Sequence, residues 1–195
     1  MKKKITEINA VAAVMDSIFQ QVETHWYQIW GPVEASLVEH RIPMPKTEFI
    51  RFNYSLAALA INFRATFDLF PRSQAERLFT YLQQFLFKQL DDSKGYAAVR
   101  TTVEKFIEAY NTGILKIKDP VKEVATLLYY KIGLDNTEQT VVDETFYAPD
   151  PTMVDYLSNS LKLFVGKWDM LLNRFDVVTP HGASDQDRER RPNSN

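Results

Sequence analysis

Cysteine is absent from the 195 residues, which excludes disulfides, thiolate nucleophiles and cysteine-ligated zinc. Histidine is scarce, and His25, His40 and His181 are the three in the chain. None has a partner at the Glu-x-x-His or His-x-x-x-His spacing that puts two metal ligands on one helix face. Glu23 and Glu39 stand two and one residues from a histidine and so point elsewhere. A haem held by His25 has only neighbouring aromatics in its favour. The chain is therefore expected to hold no metal and no cofactor. Glycine is thin as well, six residues spread singly, so no Gly-rich phosphate loop exists. The acidic pair Asp91-Asp92 sits beside Ser93 and Gly95, where a solvated turn accounts for it. No Gly-x-Ser-x-Gly nucleophile motif occurs, and a dispersed triad is recognisable by geometry alone.

A basic excess is also missing. The net charge of -2 removes the electrostatic basis for sequence-independent nucleic-acid binding. The first fifty residues lack the short basic trihelical arrangement of a helix-turn-helix reader. Lys116, Lys118 and Lys122 form one basic cluster without aromatics on a matching face, and read as a solvated connector. Long apolar runs are absent too: Phe52 to Phe63 is uncharged but contains two asparagines and is too short to span a bilayer. The opening MKKKITEINAVAAVM is interrupted by Glu7 and Asn9, so it reads as the first turns of an amphipathic helix, not a secretory signal. The expected compartment is the cytoplasm, with no membrane and no nucleic acid as partner.

What the chain does have is a rich apolar and aromatic content: 45% apolar residues, with 13 Phe, 9 Tyr and 3 Trp. That is core material for one domain, placed at residues 1–178, with a polar, mobile tail over 179–195. The stretch from Lys46 to Phe70 organises the rest. Phe49, Phe52, Leu56, Leu59, Phe63, Phe67 and Phe70 recur every three or four residues, while Ile50, Tyr54, Ala57, Ala58 and Ile61 give a second apolar side. A helix apolar on two sides has neighbours on both, so residues 47–70 are expected at the centre of an all-α bundle of about six helices.

The other helices follow from period and punctuation. The first starts near Lys4 on the seam Ile5, Ile8, Ala12, Met15, Phe19, Val22, Trp26 and Ile29, and Gly31-Pro32 kinks it or starts another. Two prolines at 43 and 45 end it. Thr47 is the expected cap of the central helix, and Ser73 with Glu76 forms a capping box for the next. A fourth helix carries Val99, Val103, Phe106 and Tyr110 and is stopped by Gly113. Asp119-Pro120 and Asp150-Pro151 each pair an N-cap with proline at the first helical position. The last seam runs Met153, Leu157, Leu161, Phe164, Trp168, Leu171 and Phe175, and residues 135–149 read as a long loop.

Two groups of residues carry the functional expectations. Trp26, Trp30, Arg51, Asn62 and Arg64 place polar groups among aromatics, as small-ligand pockets do; the same pattern suits core packing and an internal hydrogen-bond network, with Arg64 and Asp68 as an i, i+4 pair. Asp143, Glu144, Phe146 and Tyr147 lie in a stretch without Lys or Arg, and acidic residues around aromatic anchors suit a protein partner. The first expectation is a non-enzymatic adaptor, inhibitor or accessory subunit that binds another protein or its own copy. The alternative is a sensor or carrier with a small apolar ligand between helices, and an enzyme with dispersed catalytic residues comes third.

Overall fold

In the computed structural model of the chain, residues 2–39, 46–88, 93–134 and 149–179 are described. The predicted turn at Asp91 to Gly95 falls partly outside these residues, and the loop at 135–149 and the tail fall almost wholly outside. The fold is a helical bundle with a small parallel sheet. Its elements are β1 (Lys3–Thr6), α1 (Glu7–Glu39), α2 (Thr47–Leu69), α3 (Arg72–Lys88), α4 (Ser93–Leu115), α5 (Pro120–Lys131), α6 (Pro151–Lys162), α7 (Lys167–Leu172) and β2 (Phe175–Val178). The chain divides into two compact units. The first comprises Met1–Ser17, Asn62–Thr101 and Gly166–Asn195, and the second Ile18–Ile61 and Thr102–Val165.

The central helix is as two-sided as its sequence. Every residue from Asn53 to Phe63 is buried, eleven in succession. Only the ends of the aromatic stripe reach water, at Phe49, Phe52 and Phe67. Thr47 is the first helical residue, not the cap, because the Lys46 carbonyl already accepts from the Ile50 amide at 3.2 Å.

In the first unit, β1 pairs in parallel with β2, Lys3 opposite Phe175 and Thr6 opposite Val178. Neither strand was visible in the sequence, since four residues are too few to show a two-residue period. The first helix accordingly starts at Glu7, three residues later than its seam suggested. Glu7 is fully buried and takes a two-pronged pair from Arg77, Nε to Oε2 at 3.0 Å and Nη2 to Oε1 at 2.8 Å. That geometry satisfies both oxygens of a carboxylate removed from water. The predicted last seam is broken here as well. Gly166, at φ 82, separates α6 from α7, and Phe175 belongs to β2. Trp168 still fills the core, edge-on to Phe63 and Phe70 at 5.9 and 5.3 Å. The capping box is replaced: the Pro71 carbonyl accepts from Gln74 and Ala75, and Glu76 pairs with Arg72 at 3.0 Å.

In the second unit, α1 continues past Pro32 without interruption. Proline lacks the amide that would bond to the carbonyl four residues back, which is that of Gln28. The Tyr156 hydroxyl donates to that carbonyl instead. A side chain on α6 thus supplies the donor that the helix lacks, and no second helix starts at Pro32. The Asp119 and Asp150 caps form as expected: Asp119 Oδ1 accepts from Val121 and Lys122 at 3.0 and 3.3 Å, and Asp150 Oδ1 from Thr152 at 2.9 Å.

Candidate functional site

Three of the five predicted pocket residues meet in the second unit. Trp26 and Trp30, four apart on α1 and both buried, stack with ring centres 5.8 Å apart and planes 7° from parallel. The Arg51 guanidinium lies 5.2 Å from the Trp26 ring centre, and its Nη1 is 2.5 Å from Glu23 Oε2. Tyr54 presents an edge to Trp26 and another to Phe164, and its hydroxyl donates to Ser160 Oγ at 3.0 Å. Ser160 in turn donates to the Leu157 carbonyl at 2.9 Å. Burial raises the Tyr54 hydroxyl far above the usual tyrosine range, and Tyr156 adds to this while the bond to Ser160 opposes it. Tyr54 therefore stays neutral and acts as a donor, not as a base. The cluster offers aromatic packing and polar groups with internal partners, except the Arg51 Nε, which is buried without one.

Asn62 and Arg64 belong to the first unit, where Asn62 Oδ1 accepts from the Lys167 amide at 3.3 Å. Arg64 makes the expected pair with Asp68 at 3.0 Å. A cleft of about 180 Å³ in that unit is lined by other residues: Val14, Leu171 and Phe175 with Lys167 and Arg174 among them. Burial depresses the Lys167 ammonium below the ordinary lysine range. The partner residues Asp143, Glu144, Phe146 and Tyr147 lie outside the described residues, as do His40 and His181. Among the described residues, no group of three or more His, Asp or Glu is placed to share a metal ion.

Among the described residues, one exposed apolar surface lies apart from the predicted sites. At the corner between α4 and α5, Ile114, Leu115 and Ile117 are 46, 83 and 96% exposed. The corner has a definite build. The Lys118 amide bonds to the Gly113 carbonyl at 2.9 Å, and the Ile117 amide to the Ile114 carbonyl at 3.1 Å. Those two bonds are a Schellman motif, in which the penultimate position adopts a left-handed backbone and is normally glycine. Here that position is Ile117, at φ 54. A β-branched residue in that region is an outlier that costs about 1–2 kcal/mol. Gly113 is needed nearby for a different reason: a Cβ there would lie 2.5 Å from the Pro120 Cα.

Charge surrounds this apolar tip. Lys118 pairs with Glu123 at 3.4 Å, Lys122 with Asp155 at 2.5 Å, and Lys162 with Asp119 at 2.6 Å. Desolvation alone would raise the Asp119 carboxyl, but the Lys162 contact and the two cap amides outweigh it and hold the group below its usual value. The Lys162 bridge also brings the end of α6 to the corner, with exposed Leu163 adjoining it. The basic cluster is exposed at this connection, as expected of a solvated connector, with Lys118 and Lys122 in ion pairs.

No family model, no curated protein and no solved structure matches this chain.

Proposed function

We propose that the protein works without catalysis, by binding another protein or its own copy, as an adaptor, inhibitor or accessory subunit. The observation that carries this reading is the corner at Ile114, Leu115 and Ile117, where exposed aliphatic side chains sit on a strained turn. Contiguous exposed apolar surface rimmed by charge favours an interaction site, and strain at an exposed position points to use elsewhere than in the fold. The predicted pocket residues support the same reading from the other direction. Asn62 and Arg64 have partners within the protein, and Arg51 pairs with Glu23 through Nη1 while its Nε is buried without a partner. No described helix is long and apolar enough to cross a membrane, and the reading takes the protein to be cytoplasmic.

A second reading, a carrier of a small ligand, has the cleft beside Lys167 and Arg174 in its favour; a carboxylate with a short apolar body suits that lining. The two readings separate by affinity capture with the wild-type chain and with Ile117→Glu, both checked for folding by circular dichroism. Partners held by the wild type and lost from the variant support the first reading. Identical captured sets from the two proteins count against it.

A further inference from the structure

We infer that the corner docks on a second copy of this chain, each copy placing Ile117 in a groove on the α4–α5 face of the other. This rests on the reading of the corner as a protein-binding surface and adds the occupant. The groove holds about 310 Å³ and is lined by Lys105, Glu108, Ala109, Thr112, Glu123 and Leu127. Its lining is apolar at Ala109 and Leu127 and carries Lys105 with two acids, Glu108 and Glu123, of which Glu123 already pairs with Lys118 of its own chain and Glu108 is left for the partner's lysine. The corner next to it is the complement: three exposed aliphatics with Lys116 and Lys118 and no acid from Ile114 to Lys118.

The placement along the helix matches a two-fold axis. Residues 105, 108, 109 and 112 share one face of α4, and Leu115 and Lys116 continue that face towards the corner. If two α4 helices run antiparallel and cross near Gly113, position 117 of one meets position 109 of the other. Lys118 then meets Glu108. A self-complementary contact of this kind, in which residue i meets j and j meets i, is what a symmetric dimer requires. Apolar side chain faces apolar floor, and ammonium faces carboxylate, at both ends of the crossing. The arrangement also gives a return for the backbone strain at Ile117, which has none within the monomer because its side chain touches almost nothing there.

The test is sedimentation equilibrium of the full chain over a wide concentration range, with three variants beside it. The wild type is expected to be a monomer–dimer mixture that shifts towards dimer as concentration rises. Ile117→Glu should weaken the dimer about 100-fold, as loss of a buried anchor does. Ile117→Gly should weaken it too while making each monomer harder to unfold, a pair of readouts that misfolding cannot produce. Glu108→Lys should weaken association, and adding Lys118→Glu should restore it. A wild type that stays monomeric overturns the inference; if it still loses captured partners on Ile117→Glu, the docking reading stands with a different protein as occupant. A dimer unmoved by any variant overturns the inference by placing the interface elsewhere. A monomer that sediments with phosphatidylglycerol vesicles, and loses this on Ile117→Glu, overturns it in favour of a lipid surface.

Discussion

Leu59 and Leu115 are the same residue in helices of the same length, 23 residues each. Leu59 is 0% exposed and Leu115 is 83% exposed. Around Leu59 the helix is closed on every side from Asn53 to Phe63, and the polar groups inside have partners, as Asn53 has in the Phe49 carbonyl at 2.8 Å. Around Leu115 the helix ends, the backbone turns through a left-handed isoleucine, and Leu115 and Ile117 stand almost wholly in water. The contrast separates two uses of apolar residues. Inside the central helix they stabilise the fold; at the corner they cost it something and gain nothing from it.

Substitutions can break or sharpen that contrast. The largest effect is expected from Leu59→Ala, about 3 kcal/mol of unfolding free energy in a denaturant titration, because the cavity cannot collapse around a fully enclosed site. Gly113→Ala should follow, at about 2 kcal/mol, since its new methyl meets the Pro120 backbone and not a side chain that could swing away. Tyr156→Phe leaves the Gln28 carbonyl without its donor at the proline, and should cost about 1 kcal/mol. In that variant, amide exchange should speed up around Pro32 more than elsewhere in α1.

The smaller predictions concern the corner. Leu115→Ala should change stability by under about 0.5 kcal/mol, the usual range for exposed positions; a loss as large as that of Leu59→Ala would remove the contrast. Acid should loosen the corner before the core. Asp119 has its carboxyl lowered in the folded state, so its contribution is fully present above the unfolded value of about 4 and is lost as pH falls through the folded value. Protection from exchange at the start of α5, taken relative to the intrinsic rate at each pH, should therefore fall on acidification, and an Asp119→Asn variant should not show that dependence.

Much of the fold was legible because it rests on local rules. The two-sided period of the central helix, the Asp119 and Asp150 caps with their prolines, and the Arg64–Asp68 pair all depend on residues a few positions apart. What the sequence hid depends on distant partners. Pro32 reads as a break until Tyr156, on a different helix, supplies the missing donor. Lys3 to Thr6 reads as the start of a helix until residues 175–178 offer a strand to pair with. The seam through Trp168 continues by spacing across Gly166, whose backbone turns it aside. The corner was hidden for another reason: hydropathy marks Ile114, Leu115 and Ile117 as core material, and only the end of the helix puts them in water. Of the predicted site, Trp26, Trp30 and Arg51 lie together, whereas Asn62 and Arg64 share the helix of Arg51 but belong to the other unit.

The account turns on Ile117 serving nothing inside the monomer, and one measurement addresses that directly. The unfolding free energy of Ile117→Gly, taken at dilution where the wild type is monomeric, should exceed that of the wild type by about 0.5–1 kcal/mol, the relieved left-handed strain less the extra freedom of glycine in the unfolded chain. A variant less stable than the wild type would show that the isoleucine is part of the fold, and would contradict the reading of the corner as a surface held for a partner.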